Sequence, residues 1–536
     1  MEISQKNPVA YFCAEFALVD KMPNYAGGLG ILAGDYILEA DKEDYPIVGF
    51  GLYYQKGQNS RTRTGEPNGR RFGLKLLKNS FFGKRILLSI PIEDRDILAQ
   101  VWCWHGKNNS VYFLDTNIPE NSELDRLITE QLYVEDRELR LKQELVLGIG
   151  GVRLLNRLGI IPSVFHLNEG HSAFLIIELL GKEINKGLKF VEVFDQVKKK
   201  VVFTNHTLVL EGQEMFAFDS LVRNTTKLCT ELNLDIQEIL EKGKNKPEDK
   251  LFSLTTFALN GSVITNAVSR IHGEKARELW PGYRIIHITN GIFIPRWDKI
   301  KTGDIVKKHQ KNEDKLLKLI RAARGDNWKK EALLIGWSRR FVPYKRPLAL
   351  LEDVTKLKEI LEYFKGQVHI VYSAPLDVTE TEKNAFLKKL SELMVGELKG
   401  YVTFIPHYKL DIAEIMVAGC DIWLNTPIVG QEACGTSGMK AALNGTLALS
   451  TNDGWINEVP LADFGWLIDD QDITKDLLEK LQKEIVPEFE KFIKTKDGSN
   501  WQEYMKKSRQ LILKNFSTTR MLKEYIEKLY SEAISK

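Results

Sequence analysis

The stretch ALLIGWSRRFVPYKRP, residues 332–347, joins an uncharged apolar run to a loop crowded with cations. ALLIGW is too short for a helix and has no polar face, so it reads as a strand covered on both sides. Arg339, Arg340, Lys345 and Arg346 follow at once. In open parallel sheets ligands bind beyond the carboxyl ends of the strands. Cations gathered around Tyr344 at such a place suggest phosphate or diphosphate binding, with a solvated basic loop as the alternative.

The same kind of run recurs along the C-terminal half, as VHIVYS (368–373), YVTFIP (401–406), DIWLN (421–425) and TLALS (446–450). Stretches of helical period, Pro347–Phe364 and Glu380–Leu393, lie between them. Strands alternating with helices predict a parallel sheet wound on both faces. The N-terminal half repeats the scheme with decorations. VAYFCAEF opens it, a glycine-rich turn and a helix follow, and VVFTNHT and RIIHITNG read as later strands. A region at about residues 54–115 (RILLSI, AQVWCW, VYFLD) reads as an insertion with strands of its own. The lysine-rich Lys299–Asp326 reads as the join between the halves. Beyond Asp470 the pattern is helical. In FSTTRMLKEYIEKLY, Ser517 or Thr518 is the N-cap, and Met521, Leu522, Tyr525, Ile526, Leu529 and Tyr530 form one apolar stripe. The fold class is α/β, with two Rossmann-like doubly wound domains facing a cleft. Their expected spans are 1–298 and 299–510, followed by a terminal helix over 511–536.

Length and charge narrow the function classes. A chain of 536 residues fits two domains. Lys+Arg (75) exceeds Asp+Glu (72) by three, so no global field favours nucleic acid or membrane. The five cysteines form no CxxC pair, which points to a reducing compartment and away from a zinc ribbon or disulfide scaffold. MEISQKNPVAYF lacks the apolar segment of a signal peptide, and no run approaches the roughly 20 residues of a membrane span. A cytoplasmic protein is expected.

Three further stretches carry chemistry. In GQEACGTSGMKAALNG (430–445), Lys440 lies just inside an expected helix, where the dipole disfavours a cation. Thr436 and Ser437, four and three residues earlier, share its face. Free N–H groups and two hydroxyls there make a phosphate seat, and an amine beside it suits a Schiff base to pyridoxal phosphate. A lysine snorkelling to solvent is the alternative. The paired glycines of YAGGLG (25–30) permit close approach of backbone to an anion or sugar. In FHLNEGHSAF, His166, Glu169 and His171 resemble metal ligands, but the i, i+4 histidine pair of a zincin is missing. A hydrogen-bonded network is the better reading, and no metal is expected. His206 ends a strand and is the better substrate contact, and His272 on a helical pattern reads as structural.

Taken in order, YFCAEFAL, YAGGLGILAGD, HLNEGHSAF, FTNHT, NAVSRIHGE, ITNGI, RRFVPYKR, CDIWLNTP, EACGTSGMKAALNG and STNDGW span roughly residues 10–458. Together they resemble the α-glucan phosphorylases, also called glycogen, starch or maltodextrin phosphorylases, of the short prokaryotic type. The resemblance implies a GT-B glycosyltransferase whose last helix crosses back to the first domain. It implies cleavage of terminal α-1,4 bonds of a glucan by inorganic phosphate, giving α-glucose 1-phosphate with retention. It also implies that Lys440 holds pyridoxal 5′-phosphate, whose phosphate serves as the acid–base group. By position, Arg340 and Lys345 resemble ligands of the substrate phosphate. Arg339, Thr436, Ser437 and the Gly28 N–H resemble holders of the cofactor phosphate, with Tyr408 and Lys409 beside its ring. Glu432, Cys434, Gly435, His206, Asn290 and Tyr344 match positions that contact the glucosyl unit. The first domain would be the glucan side and the second the cofactor and phosphate side, and a homodimer is compatible with the family.

The chain departs from the family pattern in places. Cys434 stands where the family usually has serine, Phe293 where shorter members often have histidine, and Val342 and Pro343 where residues are more polar. Altered chain-length preference or lower activity would be the consequence. The chain is shorter than the animal and plant enzymes, so no phosphorylation switch is expected. Two other readings stay open: a nucleotide-sugar glucosyltransferase such as a glycogen or starch synthase, and a non-catalytic glucan-binding relative.

Overall fold

The computed structural model describes residues 2–19, 22–56, 69–79, 83–184, 187–209, 212–374, 384–406, 408–495 and 499–534. The first residues of Glu380–Leu393, through 383, lie outside the described residues, as do His407 and residues 57–68 and 80–82 of the region read as an insertion. The chain forms two compact units. The first comprises Met1–Val268, Gly273–Ile288 and Met521–Lys536, and the second Ser269–His272 and Thr289–Arg520.

The first unit is built on a ten-stranded sheet. Its strands are β1 (Val9–Phe12), β2 (Ile47–Leu52), β3 (Lys75–Leu76), β4 (Leu87–Ile92), β5 (Arg95–His105), β6 (Ser110–Asp115), β7 (Val164–Asn168) and β8 (Val201–Asn205). After a two-stranded ribbon of β9 (Met215–Ala217) and β10 (Leu251–Ser253) come β11 (Ile264–Ala267) and β12 (Ile285–His287). The order is β12-β11-β8-β7-β1-β2-β6-β5-β3, with β4 beside β5. Strands β12 through β6 in that order are parallel, and β3, β4 and β5 add antiparallel neighbours at one edge. The region read as an insertion therefore extends the main sheet.

Alternation along β1 explains how one strand serves two cores. Ala10 and Phe12 join one apolar cluster, and Val9 and Tyr11 join the cluster on the other face. The terminal stripe fills that second face, with Met521, Leu522, Tyr525, Leu529 and Tyr530 all buried there. Ser517 receives the Arg520 N–H at 3.2 Å and so caps this helical segment.

The second unit is a six-stranded parallel sheet with helices on its connections. Its strands are β13 (Leu333–Ser338), β14 (Val368–Ser373), β15 (Val402–Ile405), β16 (Ile422–Asn425), β17 (Leu447–Ser450) and β18 (Gly465–Leu467). The order is β15-β14-β13-β16-β17-β18. The winding reverses between β13 and β16, and in such sheets the crevice at that reversal is the ligand end. Every residue of β13 is buried, as its apolar run requires.

Lys299–Asp326, read from the sequence as a join, is mostly helix: Ile305–Arg324 is capped by the Asp304 carboxylate and buries Ile305, Leu316 and Ile320 in the second unit. His309, Asn312 and Glu313 share its buried face, so part of the polar content that read as a join is packed. Among the described residues no helix is long and apolar enough to cross a membrane.

Candidate active site

In the second unit the loop after β13 delivers the cations. Arg339 directs one guanidinium nitrogen to Asn425 at the end of β16 and another to the Ser437 hydroxyl at 3.3 Å. Its Nε is buried with no hydrogen-bond partner among the described residues. Burial works against its charge and holds its pKa below the usual guanidinium value. Trp423 also donates to Ser437 Oγ, at 3.2 Å. The hydroxyl expected to face an anion is therefore fixed from two sides, and Arg339 is the group brought to it. Tyr408 is half-buried beside Ser338 and Arg339, and its loss of solvent raises its pKa. Lys409 is exposed at the start of the helix Leu410–Gly419.

Lys345 is buried and meets Glu432 at 2.5 Å. Burial lowers the Lys345 pKa against the pull of Glu432, and Arg339 and Arg340 lower it further. Burial opposes ionisation of Glu432, but Lys345, Arg339 and Arg340 outweigh it and hold the carboxyl below its usual range. The site thus has three cations around one carboxylate, a surplus suited to an anion. Tyr344 lies under the Lys345 amine, 5.0 Å from ring centre, and against Arg340; burial pushes its hydroxyl up to about 12. Arg340 itself is exposed. Arg346, the fourth cation of the motif, is instead structural. It donates to the Thr426 and Pro427 carbonyls at 2.8 and 2.7 Å and pairs with Asp470.

The helix bearing Lys440 runs only over Ser437–Leu443, with Thr436 as N-cap. That corrects the expectation of a cation stranded at a helix start. Lys440 lies in the last turn of a seven-residue helix, where the dipole favours it. It is 4% exposed, and its amine sits 4.1 Å from the centre of the Trp297 indole. Ser437 and Lys440 share a face, so the Arg339 guanidinium and the lysine stem flank the same short helix. Glycines 435 and 438 line a cavity of about 10 Å3 with Arg339, Trp423, Asn425 and Trp455. A methyl at Gly438 would press on the Trp455 ring at 3.3 Å.

The adjacent loop is anchored by Asp453, which accepts the N–H groups of Gly430, Glu432 and Gly454 at 3.0, 3.0 and 2.8 Å. Its burial raises its pKa to about 6. Asn290 donates to the Cys434 carbonyl at 3.2 Å, while its own Oδ1 is buried and unpartnered among the described residues. The Cys434 thiol is buried and pushed up by that burial, so it is neutral. The sequence reading assigned no role to Asp453, Trp297, Trp423 or Asn425. Asp453 falls within the quoted STNDGW segment, but Trp297 gave no signal, because its contact with Lys440 spans 143 residues of chain (440 − 297).

In the first unit the carboxyl ends of β7 and β8 carry their own polar cluster. His206 shares a 2.8 Å hydrogen bond between Nε2 and Asn168 Oδ1, and its N–H reaches Glu169 at 2.9 Å. Burial lowers its pKa to about 4. Glu169 has φ +72°, rare for a side-chain-bearing residue, and burial raises its carboxyl to about 7. Gly28 opens the helix Gly28–Lys42, and a methyl there would meet nothing within 4 Å, whereas one at Gly30 would strike Tyr25 and Glu15. Gly28 is thus not demanded by packing, and the backbone beside it is open to approach. His166 is tied to Tyr530 and Thr204, each at 2.8 Å, as a network histidine. Glu144, His171 and Glu214 bring ligand atoms within 4.8 Å of one another. Arg140 Nε already lies 3.1 Å from Glu144 and 3.3 Å from Glu214, so a positive charge is supplied by the chain itself.

A doubly wound α/β sheet with a surplus of cations around one carboxylate at its winding reversal is an arrangement suited to an enzyme acting on anions. Comparison with known proteins is consistent with that class. Residues 392–460 match the family model described as carbohydrate phosphorylase. The maltodextrin phosphorylase of Thermococcus litoralis is 32% identical over 99% of this chain and 71% of its own length. The glycogen phosphorylases of Aquifex aeolicus and Mycobacterium tuberculosis are each 29% identical, covering 99% and 98% of this chain and 87% and 71% of theirs. The chain belongs to the carbohydrate phosphorylase family. It is a transferase of the hexosyl-transferring kind, of glycogen and α-glucan phosphorylase type.

Proposed function

We propose that the protein is an α-glucan phosphorylase of GT-B class that cleaves terminal α-1,4-glucosidic bonds of glycogen or maltodextrin with inorganic phosphate, releasing α-D-glucose 1-phosphate with retention. The observation that carries this reading is the second unit's cation set: Lys345 buried and Arg339 half-buried around the single carboxylate of Glu432, with Lys440 on the short helix that Arg339 also touches. A nucleotide-sugar enzyme would use such cations but has no use for a buried lysine as an aldehyde trap.

The residues present fit pyridoxal 5′-phosphate, since the unpartnered Arg339 Nε and the small residues at 435 and 438 leave a cation and little bulk beside the Lys440 helix. When bound, that cofactor supplies a phosphate whose second ionisation, near pH 6, suits proton exchange at neutral pH. Lys440 would hold it, Arg339, Thr436, Ser437 and the Gly28 N–H would bind its phosphate, and Tyr408 and Lys409 would flank its ring. Arg340 and Lys345 would bind and orient the substrate phosphate, offsetting repulsion between two neighbouring anions. Glu432, Gly435, Asn290, Cys434, Tyr344 and His206 would fix the glucosyl hydroxyls. Burial keeps His206 neutral above about pH 4, so it acts by hydrogen bonding. The first unit would serve the glucan and the second the phosphates.

The test is incubation with maltoheptaose and phosphate, following glucose 1-phosphate. Phosphate-dependent release that disappears in Lys440→Ala is expected. Release that persists in that variant, or transfer only from a nucleotide sugar, would overturn the proposal.

A further inference from the structure

The Lys440 helix ends on a hydrogen-bonded hub. Asn444 donates from Nδ2 to the Lys440 carbonyl and to the Trp297 carbonyl, both at 2.8 Å. Its Oδ1 accepts the Lys299 N–H at 2.8 Å. One side chain therefore holds both the backbone of the lysine and the residue on whose ring its amine rests. The Asn444 carbonyl in turn meets His309 Nδ1 at 3.1 Å, and His309 Nε2 meets Asp421 Oδ1 at 3.2 Å. The other Asp421 oxygen accepts the Leu334 N–H of β13 at 2.8 Å. His309 is buried throughout.

Both imidazole nitrogens face oxygens. A backbone carbonyl only accepts, so Nδ1 carries hydrogen. The Asp421 contact needs a second hydrogen, whether on Nε2 or on the carboxyl. Neutral imidazole beside ionised Asp421 holds only one, so the complete bridge contains one extra proton. Burial opposes a charge on His309, but Asp421 outweighs it and the pKa is raised. Glu313, one turn along the same helix, has its carboxyl raised to about 8 by burial. The neighbouring charges are otherwise engaged: Glu414 with Lys299, Arg509 with Asp298. The Cys420 thiol is held neutral by burial.

We infer that the His309–Asp421 bridge is a positioning device for Lys440, acting through Asn444, and that it loosens when its extra proton leaves. The inference rests on Lys440 being the cofactor lysine.

The test compares wild type with His309→Gln, whose amide serves one acceptor and never titrates. Cofactor-free protein is titrated with pyridoxal 5′-phosphate between pH 6 and pH 9, following tryptophan quenching, and its urea midpoint is recorded at each pH. Wild type should bind about tenfold more tightly than the variant at pH 6, with the gap closing to about twofold by pH 9. A ratio constant across pH would mean that His309 is only a packing residue, and would overturn the inference. Wild type that binds no cofactor at any pH would overturn the Lys440 reading and its positioning role. The bridge itself would then be judged by the midpoint difference, which must shrink as pH rises. Should His309→Gln not fold, Asp421→Asn replaces it: a binding ratio and midpoint difference that shrink with rising pH support the bridge, and constant values overturn it.

Discussion

Breaking the Lys345–Glu432 pair one side at a time should have unequal effects. At 2.5 Å the attraction is about 7 kcal/mol for an effective dielectric of 20, much of it offset by desolvation of a buried lysine and a partly buried carboxylate. Removing one partner of such a pair typically costs about 3–5 kcal/mol, because the other charge stays buried. Lys345→Met leaves Glu432 still facing Arg339 and Arg340, which places that variant near the low end. Glu432→Gln leaves Lys345 between like charges, which places it near the high end. The double variant removes both charges and should be less destabilised than the sum of the singles by at least about 2 kcal/mol. Urea denaturation followed by tryptophan fluorescence reads this directly, since seven of the ten tryptophans lie in the second unit. Adding phosphate should recover Glu432→Gln more than wild type, because an anion replaces the lost carboxylate. Additivity within about 0.5 kcal/mol, together with no response to phosphate, would refute the reasoning.

Other outcomes follow from the same structure. Lys440→Ala should lose retention of pyridoxal phosphate, seen as loss of bound absorbance after desalting, while keeping its unfolding midpoint within a few degrees. Gly34→Ala should destabilise the first unit, since its methyl would lie 2.4 Å from the Ala17 carbonyl oxygen; Gly28→Ala should leave the melting temperature unchanged. Tyr530→Phe removes the hydroxyl shared by His166 and Tyr36 and should lower stability by about 1–2 kcal/mol in urea titrations. Burial depresses His166 to about 3, below its unfolded value near 6.5, so the unfolded state binds the extra proton between those pH values. Stability should therefore fall as pH drops through that window, and His166→Gln should flatten the slope.

Many strands of both sheets were legible because a strand covered on both faces must be apolar throughout, whereas Ile47–Leu52, Lys75–Leu76, Ile264–Ala267 and Gly465–Leu467 were not read as strands. All five runs quoted from residues 332–450 contain one. The site was legible in part. Arg339, Lys345 and Lys440 stood out because cations beside apolar runs are conspicuous, and the structure buries Lys345 and Lys440 and closes around most of Arg339. Arg346 was misleading for the same reason: it shares their sequence neighbourhood, yet its guanidinium is occupied by two carbonyls and Asp470. The helix Ile305–Arg324 was missed as packed structure because its buried face carries His309, Asn312 and Glu313, whose partners lie far along the chain.

By itself the sequence determined the α/β class, the parallel winding of the second half, the apolar stripe of the last helix and the neighbourhood in which cations gather. Those properties are local: periodicity and composition within a dozen residues fix them. Only the tertiary structure decided which cation serves which partner, that one carboxylate is set among three positive groups, and that Lys440 rests on Trp297 through a hub at Asn444. Pairings across tens to more than a hundred residues depend on how the strands are ordered in the sheet, and no short window of sequence contains that order.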